Sequence, residues 1–177
     1  MKPEEKLINL AMATGRKTKN TVISMDPKGE ESYETILEQV KDAKAAGLVT
    51  TTSIWDATPA VFAAHADRRS QAYEIARQMV EVTQPELMLG GGARAFESGE
   101  DDLIERAKEL GYAVVRDREA LLAVDPARTP KLLGLFNDGS MTFEADRGER
   151  SREPQLSDMT RTALEILGRD ERGFFLM

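Results

Sequence analysis

Residues 47–69 read Gly-Leu-Val-Thr-Thr-Thr-Ser-Ile-Trp-Asp-Ala-Thr-Pro-Ala-Val-Phe-Ala-Ala-His-Ala-Asp-Arg-Arg, and the other predicted elements are arranged around this segment. Its first part, residues 48–55, is rich in Val, Ile, Thr and Trp, which suit a pleated, half-buried backbone and predict a strand. Thr58 is a favourable N-cap and Pro59 a favourable first helical residue, so a helix is predicted to follow and to continue through residue 65. The turn between them places Asp56 and Thr58 at the carboxyl end of a strand, where ligands bind in open α/β sheets.

Two interpretations of Asp56 and Thr58 follow from their spacing. In the first, Thr58 caps the helix and Asp56 stabilises its positive end. In the second, the two residues help to hold a hard cation such as Mg²⁺, which prefers carboxylate, hydroxyl and water oxygens. Two oxygen donors do not complete a magnesium site, so the spacing alone does not decide between them.

The rest of the chain alternates short apolar runs with longer amphipathic ones. The apolar runs predict strands at residues 85–89, 112–115, 132–136 and 174–177, and a short strand or extended segment at residues 21–25. The amphipathic runs predict helices at residues 32–45, 70–82, 101–110, 118–124 and 156–168. Short strands alternating with longer helices predict an α/β fold of three layers, with a mostly parallel sheet and helices on both of its faces.

Helix ends and packing positions are also predicted. Ser32 is expected to cap the helix at residues 32–45, and Gly47 to stop it. The last helix is expected to pack through Met159, Leu164, Ile166 and Leu167.

A glycine triplet follows the predicted strand at residues 85–89. Gly90, Gly92 and Ala95 match the Gly-x-Gly-x-x-Ala dinucleotide pattern, but the next helix is predicted to begin near Glu100, which leaves no helix N-terminus for a pyrophosphate. A tight exit from the strand is the preferred interpretation of the triplet. Residues 141–154 hold many charges and few large apolar residues, and predict a surface loop or a flexible excursion.

Composition excludes several classes of function. Lys and Arg total 24 against 31 Asp and Glu, a net charge of −7, which argues against a nucleic-acid partner or an anionic membrane surface. The chain has no cysteine and a single histidine, His65, so disulfides, thiolate metal sites and a histidine-rich zinc site within the chain are excluded. No apolar run approaches the ~20 residues of a membrane span.

Residues 1–10 lack the basic start and the long apolar region of a secretory signal. We therefore expect no signal peptide in this chain, and the cellular location is left open.

Several short motifs, in order along the chain, resemble the alkaline phosphatase family. Asp-Ala-Thr-Pro-Ala at residues 56–60, followed by Arg69, resembles the metal-site segment of the bacterial enzymes. Residues 13–18 are similar to the Thr-Gly-x-Lys-Thr that follows the family's nucleophilic serine. Further similarities lie at residues 34–38, 89–93, 132–136 and 173–176, so the resemblance covers roughly residues 12–177.

The resemblance implies a chemistry for three residues. Alkaline phosphatases hydrolyse phosphate monoesters through a phosphoserine intermediate, with two Zn²⁺ ions and one Mg²⁺ ion. By this resemblance Asp56 and Thr58 lie on the magnesium side, and Arg69 binds the substrate phosphate through its forked guanidinium. Without the resemblance, Arg69 would be interpreted as a solvated arginine. A continuous helix would hold Arg69 ~16 Å from Thr58, so the phosphate-binding role requires the helix to end or bend first.

The resemblance also implies what this chain lacks. The family's serine lies nine residues before the position matched by Thr14, and this count reaches Glu5, so no catalytic residue is assigned. The first strand of the family, its glutamate ligand for magnesium and its zinc ligands all fall outside this chain. Residues 1–177 are thus expected to form a single, incomplete alkaline-phosphatase-like domain.

Two functions follow from this inventory. The first is a segment of a phosphatase, inactive as this chain alone, that binds Mg²⁺ weakly. The second is a non-catalytic α/β module for binding or assembly. In either case, missing strands are expected to leave open edges at residues 48–55 and 173–177, with Ile54, Phe174, Phe175 and Leu176 partly exposed. Self-association or a complementing chain would cover them.

Overall fold

A single parallel sheet organises the structure, a computed structural model that describes residues 10–99, 101–148 and 151–177. The strands are β1 (Ala45–Ser53), β2 (Leu87–Gly91), β3 (Ala113–Val115), β4 (Leu132–Leu135) and β5 (Phe174–Leu176). Their order across the sheet is β3-β4-β2-β1-β5, and every neighbouring pair is parallel.

Helices connect the strands. They are α1 (Ile36–Val40), α2 (Ala57–Ala63), α3 (Ala72–Gln78), α4 (Ala93–Glu97), α5 (Leu103–Glu109), α6 (Arg118–Leu122) and α7 (Leu156–Leu167). A π-helical turn at Met79–Thr83 continues α3, a 3₁₀ turn occupies Glu144–Asp146, and residues 10–14 are helical. Among the residues the structure describes, no helix is long and apolar enough to cross a membrane.

Alternation along β2 shows that the sheet is covered on both faces. Met88 belongs to an apolar cluster shared with α1 to α5, whereas Leu87 and Leu89 belong to a second cluster shared with α6 and α7. Successive side chains of a strand point to opposite faces, so the two clusters lie on opposite sides of the sheet. The predicted three-layer α/β fold is confirmed.

The predicted ends of two elements were wrong at residues 32–53. Helix α1 begins after Thr35, not at Ser32: Thr35 Oγ1 accepts from the Glu38 amide (3.2 Å), and Glu38 accepts from the Thr35 amide (2.8 Å). This reciprocal capping box fixes the helix start. Gly47 does not stop a helix but lies inside β1. A Cβ at Gly47 would lie 2.7 Å from Leu167 Cδ1, so the glycine lets α7 pack closely on the strand.

The glycine triplet forms a tight strand exit, as preferred, although the reason given for it was wrong. Helix α4 begins directly after Gly92, not near Glu100. Its first donors are already used, because the amides of Gly92 and Ala93 donate to the Asn137 carbonyl (2.9 and 3.0 Å). The loop after β4 thus occupies the place that a pyrophosphate would need.

Residues 21–25, predicted as a short strand or an extended segment, form no regular strand and contribute isolated antiparallel bridges that join Ile23 to Ala66 and Met25 to Ser32. One packing prediction in the last helix was wrong. Leu164 does not pack but is 46% exposed, because the buried face of α7 repeats through Met159, Ala163, Ile166 and Leu167.

The loop predicted at residues 141–154 is irregular, but its described part is tied down. Met141 is buried, and Glu153 accepts from Asn137 Nδ2 (2.6 Å) and from the Thr142 amide (2.8 Å). The Arg147 guanidinium is also buried and donates to the Pro154 carbonyl (2.8 Å). These contacts anchor both sides of the loop.

The two predicted open edges have different outcomes. In the described part of the sheet β5 is one of the two edge strands, with β3 at the opposite edge, and its Phe174 side chain is 38% exposed while Phe175 and Leu176 are partly buried. Strand β1 is covered on this side over its amino half, where Ala45–Gly47 pairs with β5 and the Val49 amide donates to the Met177 carbonyl, and within the described residues the pairing with β5 does not extend to residues 50–53. Ile54, expected to be partly bare, is fully buried. Glu5, which sequence matching placed at the serine position, lies outside the described residues.

Candidate functional site

Asp56 occupies the turn between β1 and α2, at the carboxyl end of the sheet. Helix α2 begins at Ala57, so Asp56 is the N-cap residue and Thr58 and Pro59 take the second and third helical positions. The prediction that Thr58 is the N-cap residue was therefore wrong. Asp56 makes no capping hydrogen bond with its carboxylate, because this carboxylate is directed at another partner.

That partner is Arg69. The Arg69 Nη2 atom lies 2.8 Å from Asp56 Oδ1, and both side chains are about 30% exposed, at 31% and 27% respectively. Among the described residues this is the one hydrogen bond recorded for the guanidinium. A guanidinium has five N–H donors in a forked plane, so most of the donor capacity of Arg69 is left for a ligand.

The chain reaches this geometry by reversing its direction after α2. The helix ends at Ala63, and Ile23 and Ala66 then exchange backbone hydrogen bonds of 2.8 and 3.0 Å. The Arg69 amide donates to the Thr21 carbonyl (2.8 Å). The helix therefore ends well before Arg69, which is the condition that the phosphate-binding interpretation imposed.

Trp55 precedes Asp56 and was not predicted as part of the site that Asp56 and Arg69 form. Its indole Nε1 donates to the Gly92 carbonyl (3.1 Å), and a Cβ at Gly92 would lie 2.6 Å from that nitrogen. Gly92 has a φ of +93°, which also favours glycine. The carboxyl ends of β1 and β2 are thus locked together beside Asp56.

His65 lies between Asp56 and Arg69 in the sequence, and its role was also missed. Its Nε2 lies 2.8 Å from Glu38 Oε1, and its Nδ1 lies 2.9 Å from the Ser24 carbonyl oxygen. Glu38 belongs to the Thr35-Ile-Leu-Glu38 capping pattern, which the sequence displays but which was not used to place this partner.

Burial and hydrogen bonding act in opposite directions on this pair. Burial alone would lower the pKa of His65, but the hydrogen bonds to Glu38 and to the Ser24 carbonyl outweigh it and raise that pKa. Burial alone would raise the pKa of Glu38, but the hydrogen bonds from His65 and the Thr35 amide lower it. Both shifts favour the ionised pair.

The residues present fit magnesium in kind but not in number. A carboxylate at Asp56 and a hydroxyl at Thr58 are donors that Mg²⁺ accepts, but Mg²⁺ needs six oxygen positions. Across the described residues, no group of three or more His, Cys, Asp or Glu side chains could hold a metal ion. His65, the single histidine of the chain, is not placed as a zinc ligand, because both of its ring nitrogens are engaged.

A cavity of about 490 Å³ lies elsewhere at the carboxyl end of β1. Thr51 and Thr52 line it on one side, and the loop after β4 and the start of α7 line it on the other. Asp56, Thr58 and Arg69 do not line this cavity, so the cavity is separate from the site that Asp56 and Arg69 form.

Comparison with known proteins gives a consistent result. A sequence model of the alkaline phosphatase family matches residues 8–177. Alkaline phosphatase 3 of Bacillus subtilis is 39% identical over 173 residues, which are 94% of this chain and 36% of that protein. The crystal structure of Thermus thermophilus alkaline phosphatase superposes with a TM-score of 0.88 at 33% identity, and covers 97% of this chain and 36% of that one.

A second similar structure was solved with a metal. It is a mutant of the TAB5 alkaline phosphatase with Mg bound in its M3 site, 27% identical, with a TM-score of 0.81 over 97% of this chain and 49% of that one. The chain thus spans between a third and a half of the length of these relatives. The match over residues 8–177 covers nearly all of the chain, and the chain belongs to the alkaline phosphatase family.

Proposed function

We propose that this chain is the phosphate-binding, magnesium-side segment of a phosphate monoester hydrolase. In this proposal Arg69 binds the phosphate of the ester, and Asp56 and Thr58 stand on the side of the magnesium ion. The observation that carries it is the 2.8 Å contact between Arg69 Nη2 and Asp56 Oδ1 at the carboxyl end of β1. Asp56 and Arg69 are separated by the whole of α2 and by a loop that reverses the chain, yet they meet at the position where open α/β sheets bind ligands.

Each residue would have a distinct task. The Arg69 guanidinium can donate two parallel hydrogen bonds to two phosphate oxygens. Asp56 fixes the plane of that guanidinium, so less rotamer entropy is lost when phosphate binds. Mg²⁺, when bound, would supply positive charge beside the phosphate and lower the pKa of its water ligands. Thr58 and Asp56 would contribute two of its oxygen contacts, directly or through water.

The proposal assigns binding, not turnover, to the chain alone. A phosphoserine mechanism needs an activated serine, and zinc ions to activate water and stabilise the leaving oxygen. We expect no hydrolysis of a chromogenic phosphate monoester with Zn²⁺ and Mg²⁺ supplied. Metal-dependent hydrolysis that survives Asp56→Ala and Arg69→Ala would refute this inventory. The physiological substrate is left as a phosphate monoester.

Binding can be tested with sulfate, a tetrahedral dianion. Trp55 is the single tryptophan of the chain and precedes Asp56, so its fluorescence reports on the site. We expect Arg69→Ala to weaken sulfate binding about tenfold or more. Arg68→Ala is the matched control, because Arg68 is 76% exposed and lies 3.8 Å from Asp67. Equal losses in both variants would show only a general charge effect and would overturn the role of Arg69.

Magnesium affinity is expected to be weak, about millimolar or poorer, because only two protein oxygens are supplied. Calorimetry measures this directly. A micromolar affinity would mean that further carboxylates complete the site.

A second function is favoured by the exposed strand β5. Its Phe174 is 38% exposed at the last strand of the described sheet, and such an edge can accept a strand from another chain. In this alternative the chain is a non-catalytic module that assembles with a complementing chain or with a second copy. Binding of sulfate that is insensitive to Arg69→Ala, together with stable self-association, would favour it.

A further inference from the structure

Arg69 is held near Asp56 by the segment that joins α2 to α3, residues 64–71. Beyond the bridge to Ile23, this segment is fixed at His65. The His65 amide donates to Gln78 Oε1 and the Gln78 Nε2 donates to the His65 carbonyl, both at 2.8 Å. The backbone of His65 is therefore tied to α3 on both its donor and its acceptor.

The His65 ring is tied to two other parts of the chain. Its two nitrogens face the Glu38 carboxylate of α1 at 2.8 Å and the Ser24 carbonyl at 2.9 Å. A carbonyl oxygen only accepts hydrogen bonds, and so does an ionised carboxylate. An imidazole with one N–H can satisfy one of them, and only the doubly protonated ring satisfies both.

We propose that His65 is a positioning residue whose protonated ring clasps residues 64–71 to α1 and to residues 18–25, and thereby holds Arg69 for phosphate. When the ring loses its second proton, one of the two contacts is lost and the segment loosens. The significance for phosphate rests on the proposed function of Arg69. The attachment of residues 64–71 through the His65 ring, the clasp, does not depend on that function.

The charged groups around the ring support this assignment. Glu38 faces it from α1, and residues 18–25 contribute a carbonyl rather than a charge. From α3, Gln78 Nε2 is shared with Glu74 Oε1 (2.8 Å), and Glu74 is paired with Arg77 (2.8 Å). On the segment itself, Asp67 is paired with Arg68. Glu38 is thus the carboxylate in direct contact with the ring, and the raised pKa of His65 follows mainly from hydrogen bonds that outweigh burial.

NMR can test the clasp without any ligand. His65 is the single histidine of the chain, so its ring signals are unambiguous. We expect the ring to titrate above its ordinary pKa of about 6.5. Over the same pH range, the protection of the Ala66 and Arg69 amides, corrected for intrinsic exchange, should fall about tenfold, as loss of a charge-assisted hydrogen bond implies. The Leu89 amide in β2 serves as an internal control and should show no step.

Two variants separate the clasp from general destabilisation. Glu38→Gln keeps a hydrogen-bonding group but removes the charge, so it should lower the His65 midpoint and move the step in amide protection with it. His65→Gln should abolish the step. If His65 titrates at or below its ordinary pKa, or if the Arg69 amide shows no step at the His65 midpoint, the proposal is overturned.

Sulfate binding then separates the clasp from the proposed function, because sulfate keeps its charge across neutral and alkaline pH. In the wild type, sulfate affinity should fall about tenfold through the His65 midpoint, and His65→Gln should remove that step. Sulfate binding that is unaffected by Arg69→Ala would refute the role of Arg69 in phosphate binding. The amide-exchange experiment would still test the clasp independently. Binding that needs Arg69 but has no step at the His65 midpoint would overturn the positioning role.

Discussion

The two ends of strand β1 are held by different forces. At the amino end, Gly47 pairs with Leu87 of β2 and Leu176 of β5, and Leu167 of α7 packs against it. At the carboxyl end, the register with β2 shifts between Val49 and Ser53, and the intervening threonines are at least partly exposed. Apolar burial holds the first end, whereas the second end, apart from the buried Ile54, is held by the polar contacts of Trp55 and Asp56. The candidate site lies at the end where burial is not the main constraint.

The largest expected effect tests the amino half of β1. Leu48 is fully buried, so Leu48→Ala should lower the free energy of unfolding by about 2–5 kcal/mol through lost burial and a cavity. Asp56→Ala should cost less than about 1 kcal/mol, because partly exposed ion pairs contribute little. Urea unfolding measures both. Similar losses at the two positions would remove the distinction between the two ends.

A smaller effect is expected where the register shifts. A Cβ at Gly90 would lie 2.8 Å from Thr50 Cγ2 and 3.2 Å from the carbonyl oxygens of Thr50 and Thr52. Gly90→Ala should therefore cost about 1–3 kcal/mol by overpacking and weaken sulfate binding, since displacing Thr50 and Thr52 would shift the end of β1 that leads to Asp56.

Gly139→Ala is the matched control for that variant, because a Cβ at Gly139 would have no atom within 4 Å. It should change the free energy of unfolding by less than about 1 kcal/mol. If Gly90→Ala changes the free energy of unfolding as little as Gly139→Ala does, the register shift in β1 does not require a residue without a side chain at position 90.

The same contrast explains what could be predicted from the sequence. The apolar runs at residues 85–89 and 132–136 indicated buried strands of a parallel sheet, because consecutive apolar side chains favour burial on both faces of a strand. The start of β1 at Ala45 was missed, since Ala45, Ala46 and Gly47 have little intrinsic preference for a strand and are placed there by α7 and β5.

The candidate site also has features that could be predicted from the sequence and features that could not. Asp56 and Arg69 could be found through their family resemblance, but their 2.8 Å contact could not, because it depends on residues 64–71 folding back onto residues 21–25. The His65–Glu38 pair was missed for a similar reason. Its partners are 27 residues apart and meet only after α1 and α2 have packed together. Long-range polar contacts carry no local pattern.

A moderate effect is expected from pH, through His65 and Glu38. The pKa of Glu38 is lowered in the folded protein, so its contribution is present above its unfolded pKa and is lost as pH falls through the folded one. The pKa of His65 is raised, so its contribution is complete below its unfolded pKa and is lost as pH rises through the folded one. The pair should therefore stabilise the fold most between about pH 4.5 and 6.5, the ordinary pKa values of the two groups.

Urea unfolding across pH, in wild type and Glu38→Gln, measures this contribution. The variant should flatten the decline of stability on both sides of that window, because residue 38 no longer titrates and His65 no longer has an ionised partner. An unchanged profile in Glu38→Gln would show that other titrating groups set the pH dependence. It would also indicate that the carboxyl end of β1 depends on backbone contacts.

The smallest effect on folding is expected at the exposed edge beside the amino end of β1. Phe174 pairs with Ala45 but is 38% exposed, so Phe174→Lys should change the free energy of unfolding by less than about 1 kcal/mol. Its effect on association should be larger, because apolar edges recruit other strands and an edge lysine opposes this. Sedimentation across a concentration series should show less self-association than in the wild type. Leu164→Lys is the matched control, since Leu164 is 46% exposed on α7, away from the strand edge. If Leu164→Lys reduces association and Phe174→Lys does not, copies of the chain meet through α7, and the edge of β5 is not the surface that a complementing strand would use.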